Sequence, residues 1–249
     1  MRLGIISDIH MRDEYSEQIT ESLKTAKENI REFDPEAVAV LGDVIQGGNR
    51  EEDIKNIEKV RETLDFDCDT YYLAGNHDSA NLSNSELEYF FGNELYSVVD
   101  KSETSLLILN TSSPWLSGSR GEVTQEQIEF VKEQMQRNQN FTVLIHHPIH
   151  YQDLQDSFWW KNYPERAFCG NKKEINKALR PEKINCVING HLHKNSKVKY
   201  NKTRHITINA LSREKPEKPV TGTYAKCKIG DKNRFEIFER DKKIETYSF

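Results

Sequence analysis

Residues 1–10, MRLGIISDIH, run from an apolar stretch into Ser7-Asp8-Ile9-His10. Leu3 to Ile6 has the length and composition of a buried strand. Residues two apart on extended backbone point to the same side, so Asp8 and His10 can aim at one place. A carboxylate and an imidazole sharing a target most simply share a metal ion.

The same arrangement recurs along the chain. Apolar runs predict strands over Ala37–Leu41, Thr70–Leu73, Ser105–Leu109, Phe141–Ile145 and Ile184–Ile188. Helical spacing predicts helices over Ser16–Glu32, Glu51–Leu64 and Thr124–Gln136, the last opened by a Thr124-x-x-Gln127 capping box. Four of these strands end in metal-binding residue types: Gly42-Asp43, Gly75-Asn76-His77-Asp78, His146-His147 and Gly190-His191-Leu192-His193. Alternating strand and helix imply an α/β protein, and in such folds ligands gather where loops leave the carboxyl ends of the strands. With the opening strand, five loops are expected to meet at one site.

After His193 the pattern changes. Lys197–Tyr200, Arg204–Asn209, Tyr224–Ile229 and Phe235–Glu239 read as hairpin strands with turns near Asn201 and Gly230-Asp231, giving an antiparallel C-terminal portion over 197–249. Arg213–Val220 is a charged loop of ordinary length. No repeat or long linker divides the 249 residues, so a single domain, 1–249, is expected.

A net charge of −5 argues against an extended nucleic-acid surface. Cys68, Cys169, Cys186 and Cys227 show no paired spacing, which fits neither a zinc knuckle nor a disulfide framework and suits a reducing cytosol. The opening apolar run is too short for a signal-peptide core, and no stretch has the length and hydropathy to span a membrane. A cytoplasmic protein is expected.

Asp8, His10, Asp43, Asn76, His146, His191 and His193 together offer carboxylate, amide and imidazole donors for two divalent ions, with one carboxylate shared. Manganese, iron, zinc and cobalt all suit such a set. Two ions about 3.5–4 Å apart can hold a hydroxide between them and clamp both the attacking and leaving oxygens of an in-line displacement at phosphorus.

This series, from Asp8-x-His10 through Gly42-Asp43, Gly75-Asn76-His77-Asp78 and His146 to Gly190-His191-x-His193, resembles the motif set of the calcineurin-like metallophosphoesterases. The resemblance implies a four-layer α/β/β/α sandwich of two mixed β-sheets flanked by helices. It further implies that Asp8, His10 and His193 serve one metal, that Asn76, His146 and His191 serve the other, and that Asp43 bridges them. His147 is the alternative to His146. His77 would face the substrate and protonate the leaving oxygen, oriented by Asp78. His150 is expected at the surface or on the substrate side, and His205 in a structural role.

Gly42-Asp43-Val44-Ile45-Gln46-Gly47-Gly48 lacks the arginine that grips phosphate in protein phosphatases. Gly121-Glu-Val-Thr-Gln-Glu-Gln-Ile-Glu-Phe130, following Leu107–Asn110, together with the His-His-Pro at 146–148, is similar to class III cyclic nucleotide phosphodiesterases. Those proteins usually carry Asp where Asn110 and Gln46 stand. A small phosphoester substrate, nucleotide-like and probed as a diester first, is therefore expected. The other readings are a monoesterase, a DNA nuclease and a non-catalytic scaffold. Between 150 and 170, Tyr151, Phe158, Trp159, Trp160 and Tyr163 suit a lid on which a base stacks, or else a cover for the core; Lys161 and Arg166 are candidate phosphate contacts.

Overall fold

Strand β1 (Arg2–Ile6) alternates its side chains between two cores. Leu3 and Ile5 face one apolar layer and Ile6 the other, while at Gly4 a side chain would run into Ile30 of helix α1 (Ser16–Glu32). That close helix–sheet approach sets the architecture on one side. The coordinates are a computed structural model that describes residues 1–212, 218–230 and 232–249.

The elements that follow are β2 (Ala37–Val40), α2 (Arg50–Thr63), β3 (Thr70–Tyr72), α3 (Asn84–Phe91), β4 (Ser97–Val99), β5 (Ser105–Ile108), α4 (Gln125–Gln134), β6 (Phe141–Ile145), α5 (Lys172–Ala178) and β7 (Ile184–Asn189). Five further strands complete the chain: β8 (Ser196–Tyr200), β9 (Thr203–Thr207), β10 (Thr223–Lys228), β11 (Arg234–Glu239) and β12 (Lys242–Ser248). They form two six-stranded sheets in the orders β12-β11-β10-β1-β2-β3 and β4-β5-β6-β7-β9-β8. Both are mixed: β1, β2 and β3 run parallel beside antiparallel β10–β12, and β5, β6, β7 and β9 run parallel between antiparallel β4 and β8.

Between the sheets lies one core, to which Leu3, Ile5, Ala39, Ile108, Ile188 and Ile237 contribute. Ile19, Leu23, Ile57 and Leu87 of α1–α3 cover the outer face of the first sheet, and Ile128, Val131 and Ile175 of α4 and α5 cover that of the second. The order helix, sheet, sheet, helix is the expected four-layer α/β sandwich.

Two expectations change. The C-terminal strands do not make a sheet of their own. The β8–β9 hairpin joins the second sheet with β9 parallel to β7, and β10–β12 extend the first sheet from β1, so the C-terminal strands close both halves. The hairpin turn sits at Asn201-Lys202, both at positive φ as a two-residue type I′ turn requires. Asp231 of the second turn, and Arg213 to Glu217 of the charged loop, lie outside the described residues.

The capping box of α4 is only half formed. The Thr124 hydroxyl accepts from the Gln127 amide at 3.3 Å, but the Gln127 side chain turns to the backbone of Asn110, accepting from its N–H and donating to its carbonyl, each at 2.9 Å. Gln127 thus pins the helix to the end of β5. Conversely, α3 opens with a complete capping box, Ser83 with Glu86.

Candidate metal centre

The loops after β1, β2, β3, β6 and β7 converge as the sequence predicts, and main-chain bonds hold them together. The Asp8 amide donates to the Gly42 carbonyl at 3.1 Å, and that of His10 to the Asp43 carbonyl at 2.9 Å. Gly42 takes a φ of +89°, and a side chain there would strike His146. At Gly190 the backbone passes so close to Ser7 and Asp8 that no Cβ fits. Asp8, His10, Asp43, His191 and His193 all adopt positive φ. For residues with a Cβ this conformation is strained, by about 1–3 kcal/mol each, and such strain concentrates at functional sites.

All seven candidate ligands lie together and all but His193 are buried. His10 Nε2 and His193 Nε2 are 3.1 Å apart; Asp8 Oδ1 is 3.4 Å from His193 Nε2 and 4.0 Å from His10 Nε2. Asp43 Oδ2 stands between two groups, 3.8 Å from His10 Nε2 and 3.4 Å from His146 Nε2, and Asn76 Oδ1 is 3.3 Å from that same His146 nitrogen. Ligands bound at about 2.1 Å in tetrahedral or octahedral geometry sit about 3–3.6 Å from one another, so most of these separations match the edges of coordination polyhedra. Asp8, His10 and His193 fall into one cluster able to hold an ion; His146, His147 and His191 fall into another, and Asp43 joins His10 and His146. The donor set fits two ions with a shared carboxylate.

Electrostatics agree. Burial disfavours ionised Asp8 and Asp43, but neighbouring histidines outweigh it, bringing Asp8 down to about 2 and Asp43 well below the ordinary carboxylate range. Burial likewise opposes charge on His146, yet Asp43 and Asp8 raise it to about 9. Two ionised, buried carboxylates form a site that divalent cations would neutralise.

The two adjacent histidines separate. His146 Nδ1 donates to the Leu41 carbonyl at 2.7 Å, which turns Nε2 to Asp43 and Asn76. His147 is buried behind it, Nδ1 2.8 Å from the Thr111 hydroxyl and its ring against His191. His77 lies at the edge of the cavity, Nδ1 donating to the Gln46 carbonyl at 2.5 Å. Asp78 does not orient it, contrary to expectation: its oxygens accept from the Ile45 and Gly75 amides at 3.1 and 2.8 Å, and burial raises its carboxyl to about 7. It fastens the Asp43 loop to the Asn76 loop.

His150 is also not where expected. It is fully buried, its ring 4.6 Å from that of His205 inside the second sheet's outer face. The aromatic segment divides in two. Trp159, Trp160, Tyr163 and Arg166 line a cavity of about 330 Å³ over the histidines, whereas Tyr151 and Lys161 line a separate outer cavity. Gln46 and Ser119, which sequence reasoning does not place there, also line the inner cavity. Among the described residues that line it, Arg166 is the one Lys or Arg.

The fold superposes on a dimetal phosphatase from Danio rerio with a TM-score of 0.74, at 15% identity, covering 100% of this chain and 98% of that one. It also superposes on GAP50, the anchor in the inner membrane complex of Plasmodium, with a TM-score of 0.65 at 10% identity (100% and 87% covered), and on TT1561 of Thermus thermophilus at 0.55 and 8% (100% and 97% covered). At such identities the likeness is one of fold. No curated protein matches the chain by sequence. The calcineurin-like phosphoesterase profile matches residues 1–195, and the chain belongs to that family.

Proposed function

We propose that this protein is a dinuclear metal-dependent phosphodiesterase acting on a small, nucleotide-like phosphodiester. The observation that carries the reading is the placement of Asp43 Oδ2 within 4 Å of both His10 and His146, at the junction of two donor clusters. Asp8, His10 and His193 would hold one ion and Asn76, His146 and His191 the other, with Asp43 common to both. When bound, the ions supply Lewis acidity at the phosphoryl oxygens and lower the pKa of the attacking water.

The chain's own groups do the rest. His77 is fixed through Nδ1–H by the Gln46 carbonyl, and a ring that carries a second proton on Nε2 can give that proton to the leaving oxygen. Asp78 acts at a distance, by holding the two loops in register. Trp159 and Trp160 exclude water, and Trp159 offers an aromatic face to a base. A single arginine on the cavity wall suits the one negative charge of a diester better than the two of a monoester.

The scaffold reading is disfavoured because no ligand position has been lost, although GAP50 is described as an anchor. The nuclease reading is disfavoured by the net charge of −5. Among the described residues no helix is long and apolar enough to cross a membrane. All four cysteines are free, which supports our placing the protein in the cytoplasm.

The test is hydrolysis of bis(p-nitrophenyl) phosphate against p-nitrophenyl phosphate by manganese-loaded protein. Diester preference is expected. Asp43→Ala should abolish turnover together with metal uptake, whereas His77→Ala should keep the metals and lose about 10²–10⁴ in rate. Monoester preference would move the assignment to a phosphatase, and metal-loaded protein inert to both esters would favour the scaffold.

A further inference from the structure

Leu192 stands between two ligand candidates, His191 and His193, and is 1% exposed. It does not pack into any of the three large cores. It belongs to a small cluster whose other buried members, Leu154, Trp160, Ala167 and Phe168, all come from the segment over the cavity. Leu192 is thus that cluster's buried anchor outside the segment.

Three more contacts join the same parts. His191 Nε2 donates to the main-chain carbonyl of Arg166 at 3.0 Å, which commits that nitrogen and leaves Nδ1 as the one available to an ion. The Trp160 ring lies against the His191 imidazole, centroids 4.5 Å apart at 33°, fixing its plane. The Trp159 ring meets His193 edge-on at 6.0 Å. A carbonyl sets which nitrogen is free, and an indole sets where it points.

We propose that residues 154–168 are a positioning element for the metal held by His191, with Trp160 as its central residue, so that order in this segment and occupancy of that metal are linked. The inference rests on the reading of His191 as a metal ligand. The Arg166 carbonyl is in place only while the segment is folded, and the segment folds around Leu192. Fixing His191 therefore favours the folded segment, and the folded segment tightens the hold on the metal by the same factor. Because Trp159, Tyr163 and Arg166 belong to this segment and line the cavity, a substrate seated against them strengthens that hold.

The experiment is titration of metal-free protein with Mn²⁺, free ion followed by its paramagnetic resonance, for wild type, Trp160→Ala and Trp160→Phe. Chymotryptic cleavage within 154–168 is followed with and without Mn²⁺. Wild type should bind two ions, and Trp160→Ala should weaken one site by about tenfold or more while the other stays within about twofold. Trp160→Phe, which keeps an aromatic face on His191, should restore most of the loss. Mn²⁺ should protect the segment in wild type and far less in Trp160→Ala.

Equal affinities in wild type and Trp160→Ala, or equal weakening of both sites, would overturn the proposal. So would cleavage indifferent to Mn²⁺ in wild type, a result that stands even if the alanine variant fails to fold. Wild type binding fewer than two ions would instead sink the dinuclear reading itself.

Discussion

Asp8, His10, Asp43, His191 and His193 are half of the ten non-glycine residues at positive φ among those described, and each is recognisable as a candidate ligand from residue type and strand-end position alone. The coincidence has a physical cause: a chain that must turn sharply at a strand end while aiming a side chain back at a shared point uses conformations it would otherwise avoid. What the sequence could not reveal is main-chain support. His77 is held by the carbonyl of Gln46 and His191 by that of Arg166, and carbonyl groups carry no residue signature. Burial was also hidden at His150, which sits in a run of polar and aromatic residues yet is enclosed against His205. Burial holds these two imidazoles neutral, pushing His150 down to about 3 and His205 to about 4. Below pH about 6.5 the unfolded chain takes up protons that the folded protein refuses, so stability is full above that pH and falls as pH drops toward 4, by up to about 1.4 kcal/mol per pH unit for each histidine. Thermal melts from pH 7 to 5 should show this slope, and His205→Leu should flatten it; a variant as pH-sensitive as wild type would refute the assignment.

At the scale of elements, β1, β2, β5, β6 and β7 are legible because each is a short, largely apolar and almost wholly buried run, as Ala37–Val40 illustrates. The antiparallel edge strands β4 and β12 are short or exposed and carry no such run, so the sequence does not reveal them. Helix α3 was missed although its Ser83-x-x-Glu86 box is plain in the sequence, because its eight residues give too few turns for a period to emerge. Gln127 shows the opposite error, a capping signal spent on tertiary structure. Its amide satisfies both backbone groups of buried Asn110. Gln127→Leu should therefore cost about 1–3 kcal/mol by leaving those groups unpaired, read as a lowered unfolding free energy in urea; a loss below about 0.5 kcal/mol would mean the bonds are replaced by water.

On the scale of the whole molecule, five loops from two sheets supply one site, and only the stacking of those sheets brings Asp8 of the first within 3.4 Å of His193 of the second. The set of candidate ligands is readable from strand ends, while the partition of the C-terminal strands between sheets is not, since hairpin patterning is the same whichever sheet a hairpin joins. In the proposed site Asp43 sits between two metal ions. Anomalous diffraction at the manganese edge from crystals grown with Mn²⁺ tests it most directly. Two peaks about 3.5–4 Å apart on either side of the Asp43 carboxylate are expected; a single peak, or peaks away from Asp43, would rule out a shared carboxylate.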